Sequence, residues 1–211
     1  MPLTLAPEQH VLLHGIRWQT YERLLEDLQD RHIRLTYDAG TLEIVSPSRS
    51  HERVKHLIRR LVEAMTEELG VAIEGGGSTT WRREDLDQGL EPDECYWIEN
   101  EPNVRGRREL DLRVDPPPDL AIEVDVHASS VDRMKIYAAL GVPEVWRWKD
   151  DRIAVHLRQG HGGYAVSERS ACFPWLPVGE LAAWVLRDGE RDENSLIRAF
   201  RLWLRESVTL P

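Results

Sequence analysis

"PDLAIEVDV", residues 118–126, decides how this chain folds. Read as a β-strand, its side chains alternate, so Leu120, Ile122, Val124 and Val126 share one side while Asp119, Ala121, Glu123 and Asp125 share the other. Same-face residues two apart lie roughly 7 Å from each other. Three carboxylates therefore form a column beside a fully apolar face. An edge strand with one solvated side gives the same alternation. A partly dry column needs a cation instead, because like charges brought together out of water repel.

The neighbouring segments favour the second reading. Upstream, "EPDECYWI" supplies Asp93 just before an aromatic, strand-like run, with Pro92 fixing the approach of the chain. Downstream, "SSVDRMKIYAALG" reads as a short helix, capped by Ser129 or Ser130 and ended by Gly141, which returns Arg133 and Lys135 to the end of the acidic strand. Two adjacent strands then offer Asp93 and Glu123 to one divalent ion, with a basic group close by. Hard oxygen ligands suit magnesium or manganese, which keep waters and bridge phosphate oxygens. Phosphodiester hydrolysis is the chemistry such a centre fits.

Farther out, "WQTYERLLEDLQD" predicts an amphipathic helix over 18–30, and "IRLTYDAGTLEIVS" a hairpin about Gly40. From Ser50, the expected N-cap, Val54, Leu57, Ile58, Leu61, Val62, Met65 and Leu69 recur at helical spacing until Gly70. Strands are expected at 71–74, 78–82 and 93–99, and an irregular connection over 100–118, which ends in three prolines. "PEVWRW" and "RIAVHLR" read as a strand pair around Lys149-Asp150-Asp151, and "GGYAVSER" as a further strand. Residues 193–207 carry Leu196, Ile197, Phe200, Trp203 and Leu204 on one stripe, which suits a core-packing or dimer helix.

The totals set bounds. With 211 residues we expect one domain over 1–211, with a short N-terminal extension and a C-terminal helix at 193–207. No apolar run is long enough to span a membrane, and the N-terminus does not read as a signal peptide. With only Cys95 and Cys172, free thiols in a reducing cytoplasm are the expectation. A net charge of −10 argues against a surface that attracts nucleic acid everywhere, so any polyanion must be met locally. No GxGxxG, no P-loop and no zinc spacing points to a small-molecule enzyme.

The series "EIVSPSRSHERVKHLI", "LEPDECYWI", "PPDLAIEVDV" and "IYAALGVPEVWRW", in this order, resembles the bacterial restriction-endonuclease family of Uma type, once a domain of unknown function. That family lies within the PD-(D/E)XK nuclease superfamily, and the resemblance runs roughly over residues 18–185. It implies an α/β fold with a restriction-endonuclease-like αβββαβ core, a mixed central sheet flanked by helices. It implies a magnesium- or manganese-dependent endonuclease acting on DNA, working as a homodimer. Asp93 takes the Pro-Asp position, Glu123 that of the second acidic ligand, and His51 that of a histidine on the first core helix; Asp125, two beyond Glu123, is the further candidate for the metal.

The departure is the lysine, since Asp125 stands two residues after Glu123 where Lys is expected. Relatives carry a lysine four residues before the tyrosine that matches Tyr137, and that position here is Arg133. Lys135 supplies the residue type the chemistry prefers, because arginine does not lose its proton. A helix points the two about 200° apart, so one of them, with a lean to Lys135, serves Glu123 as the catalytic cation. Arg49, Arg53, Lys55 and Arg59 are candidate nucleic-acid contacts, although glutamates interleave them as in ordinary helical ion pairs. The altered motif also admits an alternative: a weak or inactive nuclease fold that binds nucleic acid or oligomerises.

Overall fold

The computed structural model describes residues 9–28, 31–125 and 129–207. Val126, at the end of the stretch quoted above, lies outside the described residues. An N-terminal strand β1 (Gln9–His14) and helix α1 (Trp18–Leu28) lead into a hairpin of β2 (Arg34–Asp38) and β3 (Thr41–Ser46). Ala39 and Gly40 both take positive φ in its turn, the geometry that matches the twist of two-residue hairpins. These strands form an antiparallel sheet in the order β1-β3-β2-β6-β5, completed by β5 (Trp81–Arg83) and β6 (Gln88–Leu90).

The second sheet carries the centre of the fold. Helix α2 (Arg49–Leu69) precedes β4 (Glu74–Gly75), β7 (Glu94–Trp97) and β8 (Leu120–Val124); helix α4 (Arg133–Leu140) then crosses to β9 (Glu144–Lys149). This is the expected αβββαβ succession. A one-turn helix α3 (Glu101–Val104) sits in the long connection before β8. With β10 (Arg152–Arg158) and β11 (Tyr164–Ser167) the order is β11-β10-β9-β8-β7-β4, parallel between β8 and β9 and antiparallel elsewhere.

Both faces of β8 are buried. Leu120, Ile122 and Val124 pack with Leu57, Ile58, Leu61, Val62 and Met65 of α2 and with Trp146 and Trp148 of β9. Leu181 and Trp184 of α5 (Val178–Leu186), and Leu196, Phe200 and Leu204 of α6 (Glu193–Ser207), close the same cluster. The C-terminal helix thus packs on its own chain's core. Ala121, on the other face, joins Cys95, Trp97, Ile136, Tyr137 and Val145. The acidic column therefore does not face solvent, and each carboxylate needs its own partner. Truncating Leu61, which is fully buried, to Ala would cost about 2–5 kcal/mol.

Several local expectations change. Ser48, not Ser50, caps α2: it is extended, and its Oγ accepts the His51 N–H at 3.2 Å. Asp132, not Ser129 or Ser130, caps α4: its Oδ1 accepts the Lys135 N–H at 3.2 Å, while the Ser129 hydroxyl and the Ser130 N–H donate to Glu43. Strands β1 and β6 and helix α5 were not foreseen. "QHVLLH" does not alternate and is exposed throughout, paired only with β3, whereas "VGELAAWVL" is apolar almost all round because it sits between α2 and β10. Cys95 and Cys172 are free thiols, and burial pushes the Cys95 thiol up to about 12.

Candidate active site

Asp93 stands one residue before β7, and the register that pairs Glu94 with Ile122 sets it opposite Glu123. Directly opposed residues of an antiparallel pair share a face. The Asp93 N–H donates to the Ile122 carbonyl (3.1 Å), and Asp93 Oδ2 accepts the Val124 N–H (2.6 Å). The carboxylate thus continues the ladder past the end of the strand. Asp93 is 1% exposed and Glu123 5%.

Arg133 opens α4 directly over Glu123. Its Nε donates to Oε2 at 2.9 Å and its Nη2 to Oε1 at 2.7 Å, a bidentate pair. Tyr137, one turn on and on the same helix face, donates its hydroxyl to Oε1. The remaining Arg133 donors go to Thr36 Oγ1 and, at 2.6 Å, to the Glu91 carbonyl. Burial alone would lower the Arg133 guanidinium, but Glu123 carries it above the arginine range. Burial and the Glu123 charge together raise the Tyr137 phenol well above its ordinary value, so it stays a donor.

Asp93 has its own arginine. Arg34, at the head of β2, lies against Asp93 Oδ1 and donates to Glu52 Oε1 at 2.8 Å. His51, in the first turn of α2, puts Nε2 3.3 Å from Asp93 Oδ1 and Nδ1 3.3 Å from Glu52 Oε1. Burial opposes ionisation of Glu52, yet His51, Lys55 and Arg34 hold its carboxyl down at about 2. Two buried carboxylates thus meet two guanidinium groups. Such pairing offsets the desolvation of each charge, and removing one partner leaves the other uncompensated.

Arg34, His51, Asp93, Glu123, Asp125 and Arg133 line a cavity of about 40 Å³. That is room for an ion or a water or two. The hard oxygens of Asp93 and Glu123, with the His51 imidazole beside them, suit magnesium or manganese by donor chemistry. Both carboxylates are, however, held by arginines, Arg34 on Asp93 and Arg133 on Glu123, and among the described residues no three His, Cys, Asp or Glu side chains form a ready ligand cluster.

The other candidates fall elsewhere. Asp125 lines the cavity but is bound by Arg147 of β9 through Nε at 2.9 Å, and burial, opposed by Arg147, raises its carboxyl. Lys135 is 58% exposed and donates to Asp38 at 2.9 Å, so Arg133 and not Lys135 faces Glu123. The reason is the cap: with Asp132 as N-cap, Arg133 opens the helix beneath the end of β8 and Lys135 turns outward. Arg53 is tied to Asp188 and Glu193, and Arg59 to Glu63 and Glu94, so neither offers a free guanidinium. Arg49 is exposed without an ion pair among the described residues. Lys55 is the helix cation turned toward Arg34, 3.9 Å from Glu52.

Sequence reasoning passed over Arg34, Thr36 and Arg147. Arg34 and Thr36 alternate with Leu35 and Tyr37, so a buried polar face of β2 was legible as a second period-two pattern. Asp119, first of the acidic column, is structural: it accepts from the Ile98 and Asn100 N–H groups at 2.7 and 2.9 Å.

Among solved structures, the chain is similar to one described as "a putative nuclease belonging to DUF820" from Anabaena variabilis, with 16% identity, 81% of this chain and 90% of that chain covered, and a TM-score of 0.44. No curated protein matches. The family model described as "Putative restriction endonuclease" matches residues 18–184, most of the chain and all of the elements that build the site. By that match, this chain belongs to the Uma2 family.

Proposed function

We propose that the chain hydrolyses phosphodiester bonds in DNA, with magnesium or manganese held by Asp93, Glu123 and His51. The observation that carries this reading is the apposition of two buried carboxylates on neighbouring strands, beside an imidazole and a small cavity. When bound, the ion would polarise the phosphoryl group and lower the pKa of a water. Arg34 would swing from Asp93 to Glu52, an acceptor it already contacts. Arg133 orients Glu123 and can neutralise phosphate charge, but a guanidinium does not take up a proton. Asp125 stands behind Arg147 as a second layer. We take the chain to act as one domain and as a homodimer in a reducing cytoplasm, in keeping with its two free thiols.

A second reading has its own observation. Each carboxylate already carries an arginine, Arg34 on Asp93 and Arg133 on Glu123, which suits a nuclease fold that binds nucleic acid without cutting it. Magnesium or manganese titration against supercoiled plasmid and a single-stranded oligonucleotide separates the two. The catalytic reading expects metal-dependent nicking that Asp93→Asn and Glu123→Gln abolish. Binding with no metal-dependent strand cleavage in the wild-type protein upholds the second reading and refutes the first.

A further inference from the structure

Arg34 lines two cavities. On its far side from Asp93 lies a second, larger cleft of about 370 Å³, between the end of α1, the start of β2, α2 and the segment before β5. Arg31, Arg34, Lys55 and Arg82 line it together with His32, and Glu91 is the one carboxylate among the described residues that line it. In a chain of net charge −10, this is a local reversal of sign.

The cations of this cleft are incompletely matched. Arg31 and Arg82 make no ion pair among the described residues, and both are exposed. Lys55 and Arg34 share Glu52, at 3.9 and 2.8 Å. Burial and the neighbouring Arg34 charge lower the Lys55 ammonium, an effect that an anion entering here would oppose. Thr79 and Thr80 also line the cleft, their hydroxyls already donating to the Gly76 carbonyl (2.6 Å) and to Glu91 (3.0 Å). Planar guanidinium groups converging with an ammonium on a polar, open recess match the oxygens of a phosphodiester. Of the α2 arginines expected from sequence, Arg53 and Arg59 are consumed by ion pairs and Arg49 does not line this cleft.

We infer that this cleft is a phosphate subsite, which takes a backbone phosphate of a nucleic-acid strand lying across the candidate active site. It rests on the nuclease reading for its ligand class, and it assigns the strand's approach to the α1–β2 side of Arg34. Because one guanidinium borders both cavities, a phosphate seated in the outer one is a single side chain away from Asp93.

The test reads binding alone, in EDTA, so that cleavage plays no part. Fluorescence anisotropy of a labelled single strand and its duplex is measured over a range of salt with wild type, Arg31→Ala/Arg82→Ala and, as comparator, Arg198→Ala on the far helix. The two cleft arginines are exposed, so the double variant should keep its melting temperature, which is checked in parallel. The double variant should bind at least about tenfold more weakly, with a salt slope smaller by about 1 to 2, the loss of one or two phosphate contacts. Arg198→Ala should match wild type. Inorganic phosphate should raise the melting temperature of wild type more than that of the double variant. Equal affinity and slope in the double variant, or no binding of either nucleic-acid probe by wild type, overturns the subsite. Binding that depends on these arginines in a protein that never cuts upholds the subsite and sinks the catalytic reading; cutting with unchanged affinity in the double variant does the reverse.

Discussion

Replacing Arg133 with Met removes the bidentate partner of Glu123 while keeping most of the side-chain volume. Both side chains are nearly enclosed, at 13% and 6% exposure. Breaking such a pair by removing one member costs about 3–5 kcal/mol, because the surviving charge is stranded. Tyr137 still donates to Glu123, returning about 1 kcal/mol, whereas Thr36 and the Glu91 carbonyl lose a donor each. A net loss of about 3 kcal/mol follows. At about 2–4 °C per kcal/mol for a chain of this size, the melting temperature should fall by about 6–12 °C. Calorimetry of both proteins near neutrality reads this difference directly. A fall of less than about 2 °C would refute the view that Arg133 neutralises Glu123.

Three further outcomes are expected. Lys135→Ala should change stability by no more than about 1 kcal/mol, since its pair with Asp38 is exposed; a larger drop in thermal unfolding would mean a buried role. Glu52→Gln should lose its disadvantage in acid: a carboxyl held at about 2 stabilises the fold above its unfolded value near 4.5 and loses that contribution as pH falls through about 2, so the two unfolding curves should converge over that window. Arg34→Met should let manganese raise the melting temperature more than it does in wild type, because Asp93 is then freed of its competing guanidinium, and equal shifts would dismiss the competition.

The core of this fold was legible because its signals are periodic. The alternation of 118–126, the helical stripe from Val54 to Leu69 and the strand pair around Asp150 each state a burial pattern that the packing repeats. Asp93 and Glu123 could be matched because a strand fixes which residues share a face. What pairs with them was not, since Arg34 lies 59 positions from Asp93 and no local pattern joins them. The choice between Arg133 and Lys135 turned on one helix cap. Three short polar residues, Ser129, Ser130 and Asp132, are all plausible caps by type; Asp132 takes the role, while the Ser129 hydroxyl and the Ser130 N–H go to Glu43, 86 and 87 residues away.

The crossover from β8 through α4 to β9 has a kinetic consequence. Parallel strands cannot be joined by a tight turn, so the ladder between β8 and β9 forms only against the loop-closure entropy of the whole crossover. Within that crossover, Glu123 and Arg133 are only ten residues apart, a contact the chain can make early. Asp93 binds the Val124 N–H across 31 residues. The candidate site therefore joins a contact local in sequence, Glu123 with Arg133, to one that closes a longer loop, Asp93 with Val124. The local contact is expected to form first, so in pulse-labelled refolding the Val124 amide should gain protection only as Asp93 arrives with β7.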